Sequence, residues 1–222
     1  MEHCFYDRAE GGKFLAKKLI AYKGRADVIV LALPRGGVVV GYEVAKALRV
    51  PLDVLIVRKL GVPGHEELAM GAIATGGICV MNEDLLSHLT VSQAAIESVL
   101  ERERQELKRR EEAYRGNHSA PEVQGKIILL VDDGIATGTT MRSAVEALKK
   151  QHPAKIIVAV PVAAQSSCDE FDTGDDQETC ACLLTPESFQ AVGEWYQDFN
   201  QTTDEEVKEF LQLAKRELMT TV

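Results

Sequence analysis

Apolar positions along this chain recur with two periods. Apolar runs at residues 28–33, 52–57, 127–131 and 155–160, interrupted only by Asp53 and opened in the last case by Lys155, have the length of buried strands. Between them, apolar residues fall three and four apart, as in Val40, Val44, Ala47 and Leu48, or Met141, Ala144, Val145 and Leu148. That spacing is the stripe of a helix packed on one side. Phe14, Leu15, Lys18 and Leu19 suggest a short opening helix. Strand, helix and strand over 28–57 make a βαβ unit, with parallel strands and a right-handed crossover. Residues 58–68, containing Gly61, Pro63 and Gly64, read as a loop. Short strands at 69–74 and 78–81 read as a hairpin across Gly76 and Gly77, and a last strand is expected at 180–184. Two helices carry start signals. Thr90-x-x-Gln93 opens a long helix ending near Gly116, and Thr203-x-x-Glu206 opens a final helix that aligns Val207, Phe210, Leu211, Ala214 and Leu218. The pattern predicts an α/β protein: a Rossmann-like, mostly parallel sheet flanked by helices, with one long charged helix.

That long helix carries five acids, five bases and only Leu107 as an apolar residue over 101–112. It reads as a solvated, ion-pair-laced face, with an arm of a homodimer as the other reading. Residues 115–125 read as a polar linker.

The most informative stretch is 127–140, IILLVDDGIATGTT. A buried strand delivers two adjacent carboxylates, Asp132 and Asp133, and a small-residue loop runs straight into a helix. In open α/β sheets, ligands bind where strand carboxyl ends meet helix amino ends. Free N–H groups and the helix dipole there suit phosphate. Thr137, Thr139 and Thr140 add hydroxyl donors, and Gly138 lets the backbone come close. A phosphate loop beside two acids suits a ligand with an anionic end and a polyhydroxylated middle, such as a ribose 5-phosphate unit. No Walker lysine and no G-x-G-x-x-G turn is present. Pro34-Arg35-Gly36-Gly37 ends the first strand on the same sheet edge. Its glycines predict an anion-binding nest, and Arg35 adds a charge-assisted contact.

The stretch LLVDDGIATGTT resembles the phosphoribosyl pyrophosphate signature of type I phosphoribosyltransferases, and the full run of motifs resembles a bacterial-type group of predicted members. The likeness to the shared core covers roughly residues 27–160. It implies one phosphoribosyltransferase domain over 1–222, with a small hood and tail over about 161–222. By the resemblance, Ala136, Thr137, Gly138, Thr139 and Thr140 hold the 5-phosphate, Asp132 and Asp133 the ribose hydroxyls, and Arg35, Gly36 and Gly37 the pyrophosphate. It also implies Mg²⁺, assisted by Asp132 and Asp133 directly or through water. A mobile catalytic loop is implied near 58–68. There Arg58 and Lys59 are the candidates for stabilising the departing pyrophosphate, with His65 and Glu66 behind them. The partners so implied are 5-phosphoribosyl 1-pyrophosphate and an unidentified small nitrogen acceptor. A non-catalytic regulator binding the same ligand is the alternative. Position 136 is alanine where hypoxanthine-guanine enzymes carry an acid, which argues against a 6-oxopurine acceptor. Phe189, Trp195, Tyr196 and Phe199 either stack on a flat acceptor or pin the tail to the core.

Charge and cysteine content bound the rest. A net charge of −9 argues against a broad nucleic-acid face. No apolar run reaches the length of a membrane span, and the charged first residues lack the apolar core of a signal peptide. Five scattered cysteines point to a reducing cytoplasm. Cys180 and Cys182 share one strand face and read as buried thiols rather than zinc ligands.

Overall fold

A computed structural model describes residues 4–89, 91–116, 118–172 and 178–220. The elements run in the order α1 (Arg8–Lys18), β1 (Val28–Ala32), α2 (Gly36–Leu48), β2 (Leu52–Val54), β3 (Val57–Val62), β4 (His65–Ala74), β5 (Ile78–Met81), α3 (Glu83–Ser87), α4 (Gln93–Arg115), β6 (Ile127–Val131), α5 (Thr139–Lys149), β7 (Lys155–Val162), α6 (Gln165–Glu170), β8 (Glu178–Leu184) and α7 (Asp204–Thr220). Among the described residues, five strands form one parallel sheet in the order β2-β1-β6-β7-β8. β3, β4 and β5 form a separate antiparallel sheet.

The aliphatic runs become the sheet's centre because neither face meets water. On one face Ile29, Leu31, Ile128, Leu130, Ile156 and Val158 pack against Met141, Ala144, Val145 and Leu148 of α5. On the other, Val28, Val30, Ile127, Leu129, Ile157 and Ala159 pack against Leu15 of α1 and Val40, Val44 and Leu48 of α2. Each fully buried aliphatic side chain contributes about 1.5–3 kcal/mol. Ala45 takes the core-facing place expected of Ala47, which is exposed.

Several boundaries differ from the sequence reading. The run 52–57 is two strands: β2 stops at Val54, and Leu55 and Ile56 carry the chain into the second sheet, where Thr75 Oγ1 accepts from the Ile56 N–H at 2.9 Å. The expected loop at 58–68 is instead most of the β3–β4 hairpin, turning at Gly64 with φ +81°. Glycine and proline there mark a turn and a register shift around Gly61 rather than an open loop. Thr90 lies outside the described residues; α4 is capped by Ser92, whose side chain accepts from the Ala95 N–H. The capping pair Thr203 and Glu206 does open α7, each side chain accepting from the other's backbone N–H, at 3.2 and 2.7 Å.

The charged helix α4 is less solvated than its composition suggests. Glu103 and Arg115 are buried, the first bonded to Arg58 and the second to Asp53 and the Val54 carbonyl. Partners so far away in sequence leave no local pattern. Cys180 is not a thiol here: it forms a disulfide with Cys168 across α6 and β8, while Cys182 stays a buried thiol. Spacing along one strand pointed to Cys182, but the bonded partner comes from a helix twelve residues earlier. Among the described residues no helix is long and apolar enough to cross a membrane.

Candidate functional site

β6 ends at Val131 and delivers Asp132 and Asp133 to the carboxyl edge of the sheet, beside the end of β1. A cavity of about 210 Å³ opens there, lined by Asp132, Gly134 to Met141, and Val192 from the tail. Gly138 adopts φ +70° and caps α5, so the free N–H groups of the first helical turn face this cavity. Thr137 and Thr139 place their hydroxyls 3.3 Å apart.

Arg35 precedes α2, after a cis peptide that joins it to Pro34. Gly36 and Gly37 do not form a left-handed nest; they are the first two residues of α2, whose N–H groups have no partner within the helix. Glycine is required there because of the acids. A side chain at 36 would overlap the Asp133 Oδ2, and one at 37 would lie 2.9 Å from Asp132. Two helix amino ends, those of α2 and α5, therefore converge on one carboxylate pair.

The two acids differ in environment. Asp132 Oδ1 accepts from the Asp133 N–H at 2.8 Å. Burial, and then the neighbouring charge of Asp133, hold the Asp132 carboxyl well above the usual carboxylate range. Asp133 is instead paired with Arg8, whose Nε lies 2.7 Å from Oδ2. The Asp133 carbonyl accepts from the Tyr196 hydroxyl at 2.5 Å, and burial raises the pKa of that phenol.

Arg58 and Lys59 part company on β3, because neighbouring strand residues face opposite ways. Arg58 pairs across β3–β4 with Ile73, which packs under α4, and its guanidinium bonds Glu103 at 2.7 and 2.9 Å. Lys59 pairs with Ala72, which lines a small cavity shared with Thr139 and Arg142 of α5. Lys59 is thus on the phosphate-loop side and Arg58 is not. His65, at the hairpin turn, is exposed and lies 3.6 Å from Glu67; Glu66 is exposed beside it.

Two cations at the site escaped the sequence reading. Arg142 donates to the Thr137 carbonyl at 3.0 Å and to Thr139 Oγ1 at 3.3 Å, and pairs with Glu170 at 2.6 Å. Its signal was a place one helical turn after the loop threonines. Arg8 lies ahead of the expected opening helix, whose apolar positions begin at Phe14. Asp7 and Glu10 form a capping pair that begins it at Arg8. α6 supports the loop from behind, as Ser167 Oγ donates to the Ala136 carbonyl at 2.7 Å.

Of the tail aromatics, Trp195 and Tyr196 are buried against Phe5 and Val162, Phe189 packs at the edge of that cluster, and Phe199 lies at the surface. The first two pin the tail. Among the described residues no group of three or more histidine, cysteine or acidic side chains could hold a metal. One carboxyl shielded and one bound to arginine fit a magnesium ion held mainly by ligand oxygens and water, not a protein cage. Another cavity, about 570 Å³, lies between α4, α7 and the start of β2, away from all the signature residues.

Comparison with known proteins gives the family and the fold. The family model described as a phosphoribosyl transferase domain matches residues 6–193. A protein of Mycobacterium tuberculosis, provisionally named a phosphoribosyl transferase, is 43% identical over 213 residues in each of two strains, covering 96% of this chain and 47% of its own. The chain thus spans about half the length of these curated relatives. The crystal structure of TT1426 from Thermus thermophilus is 38% identical with a TM-score of 0.82, covering 94% of this chain and 97% of that one. On the family match and the shared mostly parallel sheet, this chain belongs to the phosphoribosyltransferases, a family of transferases, and has the type I fold.

Proposed function

We propose that this chain transfers the ribose 5-phosphate of 5-phosphoribosyl 1-pyrophosphate to a nucleobase-like nitrogen acceptor, releasing pyrophosphate. The observation that carries this reading is the convergence of the α2 and α5 amino ends on Asp132 and Asp133. One ligand with an anion at each end and hydroxyls between them satisfies all three parts.

In this reading Ala136, Thr137, Gly138, Thr139 and Thr140 take the 5-phosphate through backbone N–H and hydroxyl donors, with the Arg142 charge behind them. Asp132 and Asp133 accept from the ribose hydroxyls. Arg35 and the N–H groups of Gly36 and Gly37 take the pyrophosphate. As the bond from the anomeric carbon to pyrophosphate breaks, positive charge grows on that carbon and negative charge on the departing group. The carboxylates offset the first, while Arg35, with Lys59 from the β3–β4 hairpin, offsets the second. The acceptor nitrogen attacks the opposite face, with inversion. Asp132 and Asp133 would also hold a magnesium ion, in part through water, which supplies charge neutralisation for the pyrophosphate oxygens. Ala136 offers no acid to a purine ring, which favours acceptors other than 6-oxopurines.

Calorimetry tests the site: Asp133→Asn combined with Thr137→Ala should abolish binding of 5-phosphoribosyl 1-pyrophosphate, and unchanged binding would sink the assignment. The commitment of Arg58 to Glu103 favours a second reading, a regulator that binds this ligand without turning it over. A screen of nucleobases and small amines with magnesium separates the two. Pyrophosphate release with any acceptor supports the transferase, and binding without release under every acceptor supports the regulator.

A further inference from the structure

We propose that Arg8 is a positioning residue for Asp133, holding the carboxylate where it meets a ribose hydroxyl; this rests on the reading above. Arg8 reaches the site because the first residues are laced to the tail. The Phe5 N–H donates to the Trp195 carbonyl at 2.9 Å, the Gln197 N–H to the Phe5 carbonyl at 2.9 Å, and the Asp198 N–H to the Tyr6 carbonyl at 2.8 Å. The Asp7 and Glu10 caps then start α1 with Arg8 facing inward.

Two of the three guanidinium nitrogens and one face of the group are engaged. Nε donates to Asp133 Oδ2 at 2.7 Å, Nη1 donates to the Asn200 carbonyl at 2.7 Å, and the guanidinium carbon lies 3.8 Å from the centre of the Phe199 ring. The side chains of Arg8 and Asp133 are 11% and 17% exposed, so water screens the pair weakly. Gly36 leaves the space this pair needs, since a Cβ there would lie 2.0 Å from Asp133 Oδ2 and 2.8 Å from Arg8 Nε. An aspartate at a strand end would otherwise sample several rotamers and repel both its neighbour Asp132 and an anionic ligand. The planar, stacked arginine removes both problems, and its fork geometry is one that lysine does not reproduce.

A double-mutant cycle read by calorimetry, with 5-phosphoribosyl 1-pyrophosphate and magnesium, tests this. Arg8→Ala and Asp133→Asn should each weaken binding about tenfold, and the double variant should be no weaker than Asp133→Asn alone, because Arg8 acts only through that carboxylate. Phe199→Ala, which loosens Arg8 without touching Asp133, should give a smaller loss that likewise vanishes in the Asp133→Asn background. Added guanidinium should restore part of the affinity of Arg8→Ala, a rescue that a merely structural arginine would not show. Undiminished binding by Arg8→Ala and Phe199→Ala, or losses that add fully to that of Asp133→Asn, would overturn the proposal. Full-strength binding by Asp133→Asn would overturn the site reading beneath it, a result distinguishable from either.

Discussion

Asp132 shows how a single residue can oppose its own fold. Burial and the adjacent Asp133 favour its neutral form, so its folded-state pKa is raised above that of the unfolded chain. Its contribution to stability is therefore fully present below the ordinary carboxylate range, near about pH 4, and is lost as pH rises through the raised folded value. Asp132→Asn, neutral at every pH, should raise the melting midpoint by a few degrees at pH 7–8 and leave it nearly unchanged at pH 4, while weakening ligand binding. Melting curves across pH check this; a gain of equal size at both ends would refute the burial argument. Such a carboxylate fits a ligand site, where hydroxyl donors supply what the empty fold withholds. Gly36 and Gly37 show the converse, residues selected by what they leave out. Neither has a positive φ, and both are glycine because Asp133 and Asp132 occupy the space a side chain needs.

Among the elements, α6 illustrates support supplied from outside the motif. Its Ser167 holds the Ala136 carbonyl, Phe171 just beyond it packs beside Gly138, and Glu170 pairs with Arg142. The Cys168–Cys180 disulfide joins this short helix to β8. Six residues rarely hold a helix alone, so the crosslink matters beyond its own loop. Reduction with a dithiol should lower stability by about 2–4 kcal/mol, the typical contribution of a disulfide, and weaken phosphate binding by a few-fold. Urea unfolding with and without reductant measures the first. Thiol counting provides the control, with three free cysteines expected before reduction and all five after it. Five reactive thiols in the unreduced native protein would remove the basis of the prediction.

At the scale of the molecule, the parallel sheet, the antiparallel β3–β5 sheet and the laced termini share packed surfaces. Val207 of α7, Leu60 of β3, Val99 of α4 and Ala32 of β1 all belong to one apolar cluster. We propose that residues 1–222 unfold as one domain. Calorimetry should show a single transition, and 5-phosphoribosyl 1-pyrophosphate with magnesium at a hundred times its dissociation constant should raise stability by about 2.7 kcal/mol across that whole transition. Two transitions, only one of them moved by ligand, would show independent units.

The local pattern by itself determined the strands β1, β6 and β7, the helices α2 and α5, and the acid-loop-helix stretch between Ile127 and Thr140. Each depends on period and on neighbours a few residues apart, which a linear string records. Only the tertiary structure decided the rest: that 58–68 is a hairpin, that Arg58 turns to Glu103 while Lys59 stays on the phosphate-loop side, that Cys180 finds Cys168, and that Arg8 reaches Asp133. In each case the outcome depends on which distant chain segment packs alongside. For Glu103, Arg115 and Arg8, packing beside a partner far along the chain is what sets their role, and no local pattern records that partner.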